Sequence, residues 1–210
     1  QRDEKWKEAL IHHLPTASLT SGDPQVIGGP DGFPYFQLAV PEKNKEFQCF
    51  VLDKMKDDFL LEKGLGVVLH PQKNQPDIVL TYGDIVNYHL NRHFFYNDNS
   101  FSNESHQTQV EQNEEVMIGA PNETVLPLKT RLVLKDFLAA NGVKEPKVLL
   151  MMRKKDEQPH RDLVFNMTQD MFENEEMYTN VMRAIGWFLP RHYTYLSIQE
   201  STFGEHFHAL

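Results

Sequence analysis

The sequence predicts an α+β protein made of two small α/β-sandwich units. Three observations carry this: a β-α-β-β-α-β order of elements in the second half, a ββαββα order in the first, and a polar acidic stretch between them. At 210 residues, with 40% hydrophobic and 24% charged, the chain suits one large domain or two small ones. The boundary is expected near residue 110, giving an N-terminal unit over 1–110 and a C-terminal unit over 111–210.

Residues 2–14 have the pattern of an amphipathic opening helix, with Trp6 and Leu10 on one side. Residues 15–32 carry turn punctuation, including Ser21-Gly22-Asp23-Pro24 and Gly28-Gly29-Pro30-Asp31-Gly32. These glycines match no phosphate-binding spacing and precede no helix, so a plain loop is expected. Residues 33–40 then form a strand, with 46–52 as its antiparallel partner across a turn at 41–45. Cys49, the single cysteine, falls on that second strand as a small buried hydrophobe. It excludes an intramolecular disulfide and suits a reducing cytoplasm.

Asp53 is placed to cap a helix running to residue 63, closed by Gly64 in the left-handed conformation. Strands at 67–70 and 78–80 follow. Thr81 caps a helix over 82–92 whose inward positions are Ile85, Val86, His89 and Leu90. Residues 98–115 hold five acidic side chains and no Lys or Arg, the composition of a solvated linker.

The second unit starts with a strand at 115–119 and a helix at 127–141, opened by Pro127 and closed by Asn141-Gly142. Strands at 147–153 and 162–167 are joined by a polar hairpin. Met177, Val181, Ala184, Ile185 and Phe188 then line one face of a helix over 175–189, with Glu175 and Glu176 in its first turn and Pro190 stopping it. A last strand spans 193–199. This order is the ferredoxin-like one and implies an antiparallel four-stranded sheet with both helices on one face.

The stretch Ile118-Gly119-Ala120-Pro121, Leu126-Pro127-Leu128 opening a helix, Pro146-Lys147-Val148-Leu149-Leu150-Met151, and Asp162-Leu163-Val164-Phe165-Asn166-Met167 after a charged hairpin carries a more specific signal. It resembles the C-terminal domain of SseB, the bacterial enhanced serine sensitivity protein, over about residues 115–200. The long acidic linker and the His-bearing tail depart from that pattern. The resemblance implies a bacterial cytoplasmic protein with a regulatory or binding role, no cofactor and no catalytic residues to carry over.

A net charge of −9 argues against nucleic-acid binding, and no apolar stretch approaches a membrane span. The chain begins at Gln1, which fits a removed signal peptide and a removed purification tag equally. His89 and His93, four apart on one predicted helix, are the candidate metal pair, although His89 also fits a core position and Leu90 stands where a metalloprotease motif needs Glu. Glu205, His206 and His208 sit on what reads as a mobile tail. Asp57-Asp58 reads as a solvated helix-start pair.

No residue meets the requirements of a catalytic group. A protein partner is expected, a basic one among the options, contacted through Phe94, Phe95, Tyr96, Glu111, Glu114 and Glu115, where aromatic anchors adjoin acidic charge. Two alternatives stay open: a hydrolase-type enzyme with a dispersed site, built from residues such as His70, Asp84 and His89, and an immunity-type protein neutralising a basic toxin. The oligomeric state is left open.

Overall fold

The computed structural model describes residues 3–95, 100–101, 116–155 and 158–210. The protein is α+β, with one four-stranded and one five-stranded sheet among the described residues. It divides into two compact units, residues 1–94 and 95–210. No helix among the described residues is long and apolar enough to cross a membrane.

The first unit opens with α1 (Glu4–His13), capped by the Asp3 carboxylate on the Trp6 amide. Its sheet contains β1 (Thr20–Gly28), β2 (Pro34–Ala39), β3 (Gly66–Leu69) and β4 (Ile78–Leu80), in that spatial order. The ββαββα order is retained and the strand expected at 33–40 is β2, but its antiparallel partner is not the expected one. The antiparallel partner of β2 is β1, in the stretch expected to be a loop, with a register irregularity between Ser21 and Val26. Residues 46–52 form no strand; only Phe50 makes a bridge, to Leu19. Cys49 is consequently exposed rather than buried.

Between the parallel strands β2 and β3 runs one helix in three pieces: α2 (Leu52–Met55), a π-helical turn (Lys56–Leu60) and α3 (Leu61–Lys63). Gly64 closes it at φ 65, as expected. Val51, not Asp53, is its N-cap, and Val51 offers no side-chain bond. The next helix, α4 (Tyr82–Asn91), begins in a full capping box, with Thr81 and Asp84 each bonding the other's backbone amide. The core lies between this helical layer and the sheet: Phe36, Leu38, Val67, Leu69 and Leu80 from the strands, and Leu52, Leu60, Ile85 and Val86 from the helices, are all buried.

The second unit shows the β-α-β-β-α-β order as β5 (Val116–Gly119), α5 (Leu128–Ala140), β6 (Lys147–Lys155), β7 (Gln158–Phe165), α6 (Glu175–Phe188) and β8 (Tyr195–Ser197). The strands lie in the sheet in chain order, β5-β6-β7-β8. The pairs β5–β6 and β6–β7 are antiparallel, whereas β7–β8 is parallel. The sheet is therefore neither all-antiparallel nor split, because no strand is inserted between β7 and β8. Pro127 is the N-cap of α5 rather than its first helical residue. Helices α5 and α6 lie side by side, with the Phe137 and Phe188 rings 4.8 Å apart.

By the alternation of strand side chains, Val148, Leu163 and Phe165 point one way and Leu149, Met151 and Val164 the other. The second set forms a core cluster with Phe207, and Phe203 packs against it. The C-terminal segment thus covers this face, and its last strand, β9 (His208–Ala209), pairs with Lys147 and Val148 of β6. Leu210 is buried and its amide donates to the Pro146 carbonyl. The expectation of a mobile tail is corrected by these contacts. Ser100 and Phe101 also belong to this unit: Arg161 donates its amide to the Ser100 carbonyl, and Phe101 stacks on Tyr193 at 4.0 Å. The division therefore falls earlier than residue 110.

Candidate functional site

In the first unit, polar side chains concentrate where the π-helical turn meets α4. A π turn inserts an extra residue into the helix and re-aims its side chains, and such turns recur at functional sites. Lys56, in that turn, is almost wholly buried. Its Nζ donates to the Asp53 carbonyl at 3.0 Å and to Asp57 Oδ2 at 2.5 Å, and lies 3.4 Å from Asp53 Oδ1. Asp53 Oδ1 also accepts from the Tyr88 hydroxyl at 3.2 Å and from Arg92 at 2.9 Å. Asp57 Oδ1 is 3.3 Å from His89 Nδ1.

The electrostatics follow from this geometry. Burial works against charge on Asp53, but Lys56, the Tyr88 hydroxyl and Arg92 outweigh it and hold the carboxyl below its ordinary range. Asp57 is lowered in the same way, with Lys56 and His89 overcoming burial. Burial, then the Asp53 charge, pushes the Tyr88 hydroxyl up. Lys56 is bonded to the acids of its own helix, and those acids in turn reach Tyr88, His89 and Arg92 on or beside α4, so the cluster ties two helices together. Asp57 is thus an ion-pair partner, not only a solvated dipole partner, and Asp53 is a clamp rather than a cap.

The residues singled out in the sequence fare differently. His70 uses both ring nitrogens: Nε2 accepts the Val40 amide at 3.0 Å and Nδ1 meets the Asp77 carboxylate. Asp84 is completely buried in the capping box. His89 is half-exposed beside Asp57 and does not lie in the core. His93 does not share a helical face with it, because Arg92 at φ 60 ends α4 first. Among the described residues, no group of three or more His, Cys, Asp or Glu side chains is arranged to hold a metal.

Phe94 is only 2% exposed and stacks on Tyr88 at 4.6 Å, so it serves the core of the first unit and offers no anchor to a partner. Phe95 is exposed at 42%, with the Arg191 guanidinium 4.7 Å above its ring. Tyr96, Glu111, Glu114 and Glu115 lie outside the described residues.

The second unit has a groove of about 400 Å³ between α5 and α6, lined by Phe137, Asn141, Asn174, Met177, Asn180 and Val181, with Glu176 and Ala184. Glu176 is its single acidic or basic lining residue. Elsewhere in this unit Arg153 donates from Nε at 2.9 Å and from its terminal nitrogen at 2.7 Å to Asp162 Oδ2, and both residues are buried. Thr194 donates to Asp162 Oδ1 at 2.6 Å. This pair is fully matched and points to cohesion, not chemistry.

Lys56 was not legible as a buried group, since a lysine among acids reads as surface. The available signal was the i, i+4 spacing of Asp53 and Asp57 against His89 and Arg92 at the end of the next helix. No family model matches this chain, and no curated protein or solved structure matches it.

Proposed function

We propose that this protein is a non-catalytic binding or regulatory protein of SseB-like type, acting in a bacterial cytoplasm through contacts with a basic protein partner. The observation that carries this reading is how the titratable side chains are used. His70, Asp84, Asp53, Asp57, Lys56, Arg153 and Asp162 all spend their functional atoms on bonds that hold the fold. A general acid or base needs a free site facing substrate, and the α5–α6 groove brings no set of such groups together. Its amide and apolar lining suits a polypeptide surface better than a reaction.

The acidic excess supplies the partner's sign. A net charge of −9, with residues 98–115 free of Lys and Arg, sets a field that favours a basic protein. Phe95 is the exposed aromatic side chain next to that segment.

The test is quantitative capture from bacterial extract on immobilised wild-type protein beside a Glu111→Gln, Glu114→Gln, Glu115→Gln variant. The reading expects a basic protein enriched on the wild type and depleted on the variant, with equal melting temperatures for the two baits. Recovery of no partner, or equal recovery on both baits, overturns it.

A further inference from the structure

His70 follows β3 directly and sits at φ 55, in the left-handed region that side-chain-bearing residues seldom occupy. A residue held there is kept by its surroundings, and such positions gather at switches and sites. Here the surroundings are three segments of the first unit. The His70 amide donates to the Leu38 carbonyl at 2.8 Å, its Nε2 accepts the Val40 amide at 3.0 Å, and its Nδ1 meets Asp77. Asp77 in turn accepts from Lys73 at 2.6 Å, and its amide donates to the Leu69 carbonyl at 3.0 Å.

The tautomer is fixed by these partners. An Nε2 that accepts a backbone N–H carries a lone pair, so the neutral ring holds its proton on Nδ1 and donates it to Asp77 Oδ2. The ring therefore joins the end of β2 to the loop over residues 70–77 only while it is neutral. Both strands are parallel and end together here, the edge at which α/β units carry their working loops.

We propose that His70 is a proton-operated latch on the segment that follows β2. Protonation adds a hydrogen to Nε2, which then faces the Val40 N–H donor to donor. The Val40 bond is lost, while the imidazolium pairs more strongly with Asp77. The loop over 70–77 stays tied, and the segment from Val40 onward, with exposed Val40, Phe47 and Cys49, comes free. The charged groups in contact with the ring are Asp77 and Lys73, the latter 3.2 Å from Nδ1, and the segment after β2 contributes the uncharged Val40 amide. The device is independent of the partner-binding reading.

Two measurements on the whole protein test it between about pH 8 and pH 5, the range in which histidines change charge. Nitrogen-15 histidine spectra at the upper pH should show an unprotonated Nε2 and a protonated Nδ1 for His70. Hydrogen-exchange protection of the Val40 amide, scaled to free-peptide rates at each pH, should fall roughly five- to tenfold as Nε2 gains its proton, the scale of one net hydrogen bond. The Asp77 and His70 amides should hold their protection. His70→Asn, with a side chain that tolerates the left-handed region and does not titrate, should leave Val40 protection level with pH. The inference is overturned by a proton on Nε2 at pH 8, a ring that stays neutral to pH 5, or unchanged Val40 protection after protonation. Loss of protection at all three amides together also overturns it, and the wild-type spectra decide even if the variant does not fold.

Discussion

Lys56 in the first unit and Arg153 in the second are both buried cations, but they are buried in different layers. Lys56 lies in the helical layer, and its acids, Asp53 and Asp57, keep side-chain exposures of 43% and 56%. Arg153 lies in the sheet against Asp162, whose side chain is 1% exposed. The difference teaches that the cost of losing a buried cation depends on what is left behind. Water can solvate Asp53 and Asp57, and Arg92 and His89 remain beside them. It cannot reach Asp162 without opening the sheet.

The largest effect should follow from Arg153→Met, which strands that carboxylate and should cost about 3–5 kcal/mol in urea unfolding. Lys56→Met should cost less, about 1–2 kcal/mol, because its acids stay half-solvated. Equal losses would break the comparison.

The sheets also differ in how they are covered. In the second unit the helices take one face and the C-terminal segment the other, with Lys147 bonded to Glu200 at 2.5 Å and Asn166 to Glu200 at 2.9 Å as polar latches. On the helical side, Val181→Asp places a charge in the buried stripe and should cost roughly 3 kcal/mol or more. Asn180→Asp, exposed one position away, should change stability by about 0.5 kcal/mol. On the tail side, Phe207→Ala should cost about 3 kcal/mol, a value that melting of the whole unit would register. A loss below about 1 kcal/mol would mean that the tail rests on the sheet without sealing it.

A further small effect is the acid limb. Asp53 has its folded-state carboxyl lowered, so its contribution is present above the unfolded value of about 3.9 and disappears as pH falls through the lowered one. Because Asp53 is well exposed, the stability gap between wild type and Asp53→Asn should stay below about 1 kcal/mol at neutral pH and close toward pH ~2. A gap that widens in acid would reverse the assigned sign.

The second unit was the more legible in the sequence for a physical reason. Its strands are apolar on both faces and its helices amphipathic, so Val148 to Met151, Leu163 to Phe165 and the Met177–Phe188 stripe all announce themselves. Strand β1 is an edge strand whose side chains are mostly half-buried or exposed, and its Gly22, Asp23 and Pro24 read as turn residues. The apolar Phe47, Cys49, Phe50 and Val51 imitated a strand, whereas Phe50 makes only a single bridge to Leu19 and Phe47 and Cys49 are exposed. Strand order was not legible either, since the same element order serves a split sheet and a sequential one. The charged seam at Lys56 stayed hidden because it needs two helices distant in sequence and a π turn that no local pattern signals. His70 was read only as one member of a dispersed enzyme site; its latch geometry depends on Val40 and Asp77, brought together by the sheet.

The central functional claim, attraction of a basic partner by acidic charge, is tested most directly by association kinetics. The rate constant for the captured partner would be followed from about 0.02 to about 0.5 M salt, across which screening lengths shrink from over 20 Å to under 5 Å. The account predicts a steep fall for the wild type and a slower, flatter profile for the Glu111→Gln, Glu114→Gln, Glu115→Gln variant. Rates that are equal for the two proteins and independent of salt would contradict it.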